Sequence, residues 1–243
     1  MIYESSDTRT LWEEFKVRGS VPLNVRKAEI IHWLTGVINN CEGHKKICRS
    51  ISRQAREFRK RLQDAFNELK KLPPGKLKKL KENNMYSETI NKKINEMWQK
   101  FLNKLGNAVI AGEELRKILE QAKAFGSRLD FNIAFASIDK LLVAIANISR
   151  TRALPSYEIQ DYNFKKIRQY INDVEARFGR FFDELAKKIE NLENLLKSAV
   201  AELNSLESKP QALAKYTKLT RDALTFSRSI DQFIETYYKP IAV

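Results

Sequence analysis

The sequence is poor in cysteine, histidine, glycine and proline. Among 243 residues it has two Cys, two His, eight Gly and six Pro. If Cys41 and Cys48 lie on one helix, they are about 10 Å apart along its axis, which is too far for a disulfide bridge. The shortage of turn-forming residues favours long helices over a sheet. These shortages predict a helical protein with free thiols, which suits a reducing compartment.

An export signal and long uncharged apolar runs are also missing. The first residues show no basic region followed by an apolar run. Residues 131–148 reach the minimum length of a membrane span, but Asp139 and Lys140 near the centre would each cost about 2.5–3.5 kcal/mol there. We expect a cytoplasmic protein, with an exported effector acting in another cell's cytosol as the alternative. Residues 131–148 then form a central helix surrounded by protein.

What the sequence does have is apolar residues that recur at alternating steps of three and four. This helical period runs through residues 24–72, with a break expected near Gly43, and again through 87–125 and 156–208. Shorter helical stretches are predicted at 129–150 and after Pro210. We predict an all-α fold, an elongated antiparallel bundle of about five main helices with long heptad-patterned, coiled-coil-like segments.

Three apolar stripes make up the predicted core. In the first long stretch the stripe is Cys48, Ile51, Ala55, Phe58, Leu62, Ala65, Leu69 and Leu72. The second stripe, from Ile90 to Ala122, has a thin middle with Gly106 and Gly112 that should let a neighbouring backbone come close. In the third stretch the stripe is Ile167, Ile171, Val174, Phe178, Phe181, Leu185, Ile189, Leu192, Leu196, Ala199, Leu203 and Leu206. Its steps show one stutter, at Leu185.

The predicted domain organisation is simple. Residues 1–22 are expected to form an N-terminal arm with a short amphipathic helix that carries Trp12 and Phe15. Residues 23–243 are expected to form a single helical-bundle domain, which the chain length allows. A continuous helix over 156–208 would be about 80 Å long. Such a helix needs neighbours, and a second copy of the chain can supply them in a homodimer.

Basic residues are concentrated in one part of the chain. Residues 45–81 contain 14 Lys and Arg against three acids, which leaves +11 of the total charge of +14. The cations fall on the helix ridge opposite the apolar stripe, where like charges stack at i,i+3 and i,i+4 instead of alternating in sign. We predict that this basic ridge binds an anionic partner. The predicted contact residues are Lys46, Arg49, Arg53, Arg56, Lys60, Arg61, Lys76, Lys78, Lys79 and Lys81.

The class of the partner stays open between an acidic protein surface, an anionic membrane and nucleic-acid phosphates. No aromatic residue lies on the ridge, so stacking of single-stranded bases is not indicated. In length, helix number and basic character the chain resembles BAR-type membrane-curvature proteins. That resemblance implies membrane binding, with Trp12 and Phe15 as a possible interfacial anchor. An effector that exposes residues 131–148 on membranes is a further alternative, and nucleic-acid binding would be independent of sequence.

Patterns for metal sites are incomplete. Glu29 and His32 match the E-x-x-H element of di-iron bundles, but such a site needs two of these elements, and the heptad frame turns His32 outward. Cys41, His44 and Cys48 could be read as three metal ligands, yet their spacing places them on the core stripe and no fourth ligand is evident. We predict no metal and no cofactor.

Patterns for catalysis are also weak. Arg26 and His32 are similar to the R-x(4–6)-H element of HEPN-type ribonucleases, a resemblance that implies RNA cleavage by a helical and often basic protein. No nucleophile elbow or P-loop is present, and no small-molecule substrate is indicated. We predict a non-enzymatic helical interaction or scaffold protein that binds an anionic partner, with a HEPN-like ribonuclease as the enzymatic alternative.

Overall fold

The structure, a computed structural model, describes residues 23–72, 88–124, 131–151 and 157–205. Its elements are α1 (Leu23–Lys70), α2 (Glu88–Ala124), α3 (Phe131–Ser149), α4 (Tyr157–Val174), a π-helix (Glu175–Arg180) and α5 (Phe181–Ser205). Within these ranges only Lys71, Leu72, Arg150 and Thr151 are not helical, and no strand occurs. The predicted all-α class is confirmed.

Several predictions fall partly or wholly outside these ranges. The N-terminal arm (1–22) and the last helix after Pro210 lie outside the described residues. The elongated bundle, its coiled-coil character and the single domain over 23–243 therefore stay predictions.

The described residues belong to two compact units. Unit 1 contains residues 23–49 of α1 and residues 183–205 of α5. Unit 2 contains residues 50–72, 88–124, 131–151 and 157–182. The predicted basic residues of α1 are accordingly divided, with two of the described ones in unit 1 and four in unit 2.

Helix α1 is a single helix of 48 residues and has no break at Gly43. All eight residues of its predicted stripe, from Cys48 to Leu72, are buried, and six of them are fully inaccessible. Removing a large aliphatic or aromatic side chain from water contributes about 1.5–3 kcal/mol, so this stripe explains why the helix packs with one fixed face inward.

Within unit 2, Gly112 of α2 lies at a point of close approach. A Cβ atom at this position would be 2.5 Å from Cδ2 of Leu142 on α3 and 3.0 Å from Cζ of Phe58 on α1. The missing side chain therefore makes room for two core side chains. The expectation that the thin middle of α2 admits a neighbouring backbone is wrong, because side chains enter at Gly112, and a Cβ at Gly106 would have no atom within 4 Å.

Helix α3 is apolar but not enclosed. Val143 is 61% exposed and Ile133 is 38% exposed, so the expectation that protein surrounds this helix is wrong. The reason is that α3 packs through one broad face only, and its opposite face stays open. Asp139 is paired with Arg116 of α2 at 2.5 Å between Oδ1 and Nε. Among the helices in the described ranges, none is long and apolar enough to cross a membrane.

The third long stretch is helical without a gap from Tyr157 to Ser205, but it contains a π-helix between α4 and α5. The backbone N–H of Phe181 donates to the carbonyl of Ala176, a step of five residues instead of four. The predicted stripe is buried from Ile167 to Ala199. The heptad pattern does not predict the π-helix.

Candidate anionic-partner surface

The structure describes six of the ten predicted contact residues, and all six are exposed. They are Lys46, Arg49, Arg53, Arg56, Lys60 and Arg61. The outward face that the heptad frame assigns to them is therefore correct, although exposure alone does not test binding. The other predicted contact residues (Lys76, Lys78, Lys79 and Lys81) and the predicted anchor residues (Trp12 and Phe15) lie outside the described ranges.

In unit 1, acids neutralise the exposed cations of α1. Lys46 Nζ lies 2.9 Å from Glu42 Oε1 on the same helix, and this contact lowers the pKa of Glu42. Arg49 Nη2 donates to both carboxylate oxygens of Glu190 on α5, at 2.9 and 3.0 Å. Two of the predicted contact residues are thus occupied by intramolecular partners.

A second ion cluster of unit 1 is more deeply buried. Glu193 on α5 is only 2% exposed, and its two oxygens accept hydrogen bonds from Lys45 and Lys197, each at 2.5 Å. These bonds, first from Lys197 and then from Lys45, lower the pKa of Glu193 despite its burial. A buried carboxylate requires such partners, so this cluster is a structural contact between α1 and α5.

In unit 2, some exposed cations of α1 pair with acids and others do not. Arg61 pairs with Glu57 on the same helix at 2.7 Å. Arg53 and Lys60 are exposed and have no hydrogen bond or ion pair in the described part of the chain. Arg56 is also exposed and lies between them on the same face. From Arg53 to Lys60 the helix rises about 10 Å, since each residue adds about 1.5 Å.

The π-helix adds a charged cluster beside this segment of α1. Glu175 Oε2 lies 3.2 Å from Nε of Arg59, and Glu175 Oε1 lies 4.0 Å from Nε of Arg180. One carboxylate is therefore shared by two guanidinium groups, which leaves the cluster positive. The side chains of Arg59 and Arg180 are 45% and 69% exposed, so both reach solvent.

A buried hydrogen bond connects α1 to the π-helix. Ser52 Oγ donates to the carbonyl of Gly179 at 3.0 Å, and Ser52 is fully buried. The carboxyl group of Glu175 lies directly over Gly179, because a Cβ added there would be 3.4 Å from Glu175 Cδ. The π-helix, Glu175 and α1 are thus held together at the level of the cluster.

Other exposed lysines of unit 2 are interspersed with acids. Lys93, Lys100 and Lys104 of α2 are exposed and unpaired within the described residues, but Glu96 lies on the same face. Mixed signs of this kind are typical of an ordinary solvated helix face. The segment from Arg53 to Lys60 also contains an acid, Glu57, which pairs with Arg61, and it differs in the density of its cations, with four in eight residues.

Three of the residues considered for metal binding lie where the sequence predicts, whereas His44, which was expected on the buried stripe, is partly exposed. His32 is exposed, and Cys41 and Cys48 are free and fully buried. Burial raises the pKa of Cys48 to about 12. His44 Nδ1 lies 2.7 Å from the carbonyl of Asn40. Among the described residues, no group of three or more His, Cys, Asp or Glu side chains could hold a metal ion.

Sequence reasoning missed the residues that decide where the surface is charged. Glu190 was not recognised as the partner of Arg49, and Arg180 was not connected with the basic segment of α1. The stutter at Leu185 lies five residues after Arg180 and is the one sequence feature that indicated a local change of helix register.

No known protein aids the interpretation of this surface. No family model matches the sequence, and neither curated proteins nor solved structures give a match.

Proposed function

We propose that the protein is a non-enzymatic helical interaction protein that binds an anionic partner through exposed basic residues of α1. The contact centres on Arg53, Arg56 and Lys60 in unit 2. Lys46 and Arg49, which the sequence also assigns to the ridge, lie in unit 1 outside this centre, and Arg49 donates to both carboxylate oxygens of Glu190.

One observation carries this proposal, namely that the side chains of Arg53 and Lys60 are exposed to solvent. Both are exposed, and neither has an ionic partner among the described residues. Stacked like charges are mildly unfavourable to a helix, so their presence calls for a compensating benefit. An anionic partner supplies it by Coulomb attraction, which also speeds association.

The finer points of the architecture belong to the same proposal. The helices form an elongated antiparallel bundle with heptad packing, and the long stripe of residues 156–208 supports association with a second copy. Two free, buried cysteines support a reducing, cytoplasmic location. None of these features requires a catalytic group.

The test compares two charge-reversal variants that change the net charge equally. The first replaces the contact residues (Arg53→Glu, Arg56→Glu, Lys60→Glu). The matched control replaces three exposed lysines of α2 (Lys93→Glu, Lys100→Glu, Lys104→Glu). Each variant and the wild type are measured against fluorescent polyglutamate, phosphatidylserine vesicles and labelled nucleic-acid duplexes at about 50 mM salt, where exposed charges are weakly screened.

We expect the wild type to bind at least one of the three probes. The affinity of the α1 variant should fall about tenfold or more, because three contacts to the probe are lost. The affinity of the α2 control should stay within about twofold, because its substituted residues do not contact the probe. Equal losses of affinity in both variants would show that binding depends only on the net charge of the protein. Absence of binding to every probe would refute the proposal.

A further inference from the structure

We infer that this basic surface takes the phosphate backbone of a nucleic-acid duplex, and that Arg180 of the π-helix belongs to it together with α1. The inference rests on the proposed function and names the partner's class. It also makes the surface two elements wide, which the sequence pattern of α1 alone does not provide.

The π-helix is what brings Arg180 to this surface. In an α-helix each residue turns by about 100°, so residues five apart point about 140° away from each other. In the π-helix the hydrogen bonds step by five residues, and residues five apart become neighbours. Glu175 and Arg180 are such a pair, with 4.0 Å between Oε1 and Nε.

Glu175 connects Arg180 to α1. The same carboxylate that lies beside Arg180 accepts Arg59 Nε at 3.2 Å. Arg59 in turn precedes Lys60 and follows Arg56 by three residues on α1. Two acids, Glu175 and the Glu57 that pairs with Arg61, therefore lie among five cations of this cluster. These cations are Arg53, Arg56, Arg59, Lys60 and Arg180.

The composition of this set favours phosphate. Four of the five cations are arginine, whose planar group of five donors matches phosphate and carboxylate in a bidentate manner. Arg59 and Arg180 each present further N–H donors to solvent while they contact Glu175. Phosphate groups spaced along a strand can be contacted by such a row without any base being read.

The positions of the exposed hydrophobic residues favour a duplex over the other anionic partners. The large exposed hydrophobic residues of the described ranges lie on α2, α3 and α4, and none lies in residues 50–70 of α1 or on the π-helix. A protein partner needs an apolar or aromatic centre to its interface, a membrane-bound helix needs an apolar anchor, and a single strand needs stacking rings. A duplex backbone needs none of these, because counterion release supplies the affinity.

The experiment measures anisotropy of labelled 20-base-pair DNA and RNA duplexes of two unrelated sequences across a salt series. Arg180→Gln should weaken binding several-fold and reduce the salt slope by roughly 0.9, the value for one phosphate contact on B-DNA. Arg180→Lys should keep most of that slope, because the charge remains. Glu175→Gln removes the acid that Arg59 and Arg180 share and should strengthen binding, which a purely structural role would not produce.

Arg168→Gln is the matched control for Arg180→Gln. Arg168 is an exposed arginine of α4 in the same unit, without a hydrogen bond or ion pair among the described residues. Its substitution changes the net charge equally and should leave the slope unchanged. Circular dichroism of each variant establishes that the helices are intact, so that a change in slope reports a lost contact.

The outcomes separate the two proposals. Binding to polyglutamate or vesicles but not to duplexes, with loss in the α1 variant, overturns the duplex inference and leaves the proposed function standing. Duplex binding that is insensitive to Arg180 and Glu175 removes the π-helix from the surface. Absence of binding to every probe overturns both. Equal affinity for the two unrelated sequences is expected, and a strong preference for one would contradict contacts to phosphate alone.

Discussion

The described ridge cations of α1 all pair with acids in unit 1, whereas in unit 2 two of them, Arg53 and Lys60, have no acid partner within the described residues. In unit 1, Glu190 and Glu193 of α5 neutralise Arg49 and Lys45. In unit 2, Glu175 is shared by two arginines, and Arg53 has no partner within the described residues. We therefore expect a row of basic residues to act as a binding surface only where the neighbouring helix presents no carboxylates to it.

The two units also differ in the role that we expect the cations of α1 to have. Cations that are paired across helices contribute to the packing of unit 1, because a buried carboxylate such as Glu193 cannot be left alone. Cations that stay in solvent contribute little to stability and remain available to a partner. The comparison predicts that mutations in unit 1 mainly affect folding and those in unit 2 mainly affect binding.

The largest expected effect is that of Glu193→Gln. This change removes the nearer carboxylate from Lys45, whose side chain is only 14% exposed, and leaves it Glu190 Oε1 at 3.9 Å. We expect a loss of about 3 kcal/mol in the free energy of unfolding, near the lower end for a broken buried ion pair, because Lys197 can turn to water. Urea unfolding measures it, and Glu184→Gln, an exposed acid of α5, is the control. Equal midpoints for the two variants would contradict a structural role.

The effect of Glu193→Gln should depend on pH. Because Lys197 and Lys45 lower the pKa of Glu193 in the folded protein, this group adds stability above its unfolded pKa of about 4.3. That contribution is lost as the pH falls through the lower folded value. The gap between the wild type and the variant should therefore narrow below about pH 4. Urea midpoints measured from pH 7 to pH 3 give the comparison, and a constant gap would argue against it.

A smaller effect is expected for Ser52→Ala in unit 2. The substitution removes the buried hydrogen bond to the carbonyl of Gly179 and should cost about 1 kcal/mol of stability. Because this bond holds the π-helix against α1, the salt slope for duplex binding should also fall. Ser50→Ala, two residues earlier on α1, is the control. Unchanged stability in Ser52→Ala would show that the π-helix does not depend on this contact.

The smallest effect is expected for the exposed pair of Arg49 and Glu190. Their side chains are 55% and 38% exposed, and solvent screens such pairs. A double-mutant cycle with Arg49→Ala and Glu190→Ala should give a coupling energy of about 0.2–1 kcal/mol. A coupling energy of about 3 kcal/mol, as large as the loss expected for Glu193→Gln, would contradict the screening by solvent that is expected for this exposed pair.

Periodicity predicted the parts of the fold that depend on one helix at a time. The stripe from Cys48 to Leu72 is buried throughout, because the apolar step of three and four residues fixes which face turns inward. The exposure of Arg53 and Lys60 follows from the same rule. The all-α class and most helix bounds were therefore accessible from sequence.

Periodicity did not predict features that depend on register between helices. Whether Arg49 meets an acid depends on which residue of α5 lies opposite, and nothing in α1 specifies Glu190. Gly112 was expected to admit a backbone, but the side chains of Phe58 and Leu142 fill the space. The π-helix is likewise hidden, since one additional residue in a turn leaves only a single stutter in the stripe.

The π-helix has a consequence for how the chain tolerates insertions and deletions. A π turn holds one residue more than an α turn. Deletion of the exposed Ala176 should therefore convert the segment to α-helix. The side chains of α4 and of Phe181 and Phe182 should keep their directions. Glu175 and the arginine now at position 180 would then be four residues apart and still adjacent. A deletion within α4 would instead turn every following side chain by about 100°. Natural variants of this protein that differ by one residue in length are thus expected at residues 175–180, with the charge cluster retained.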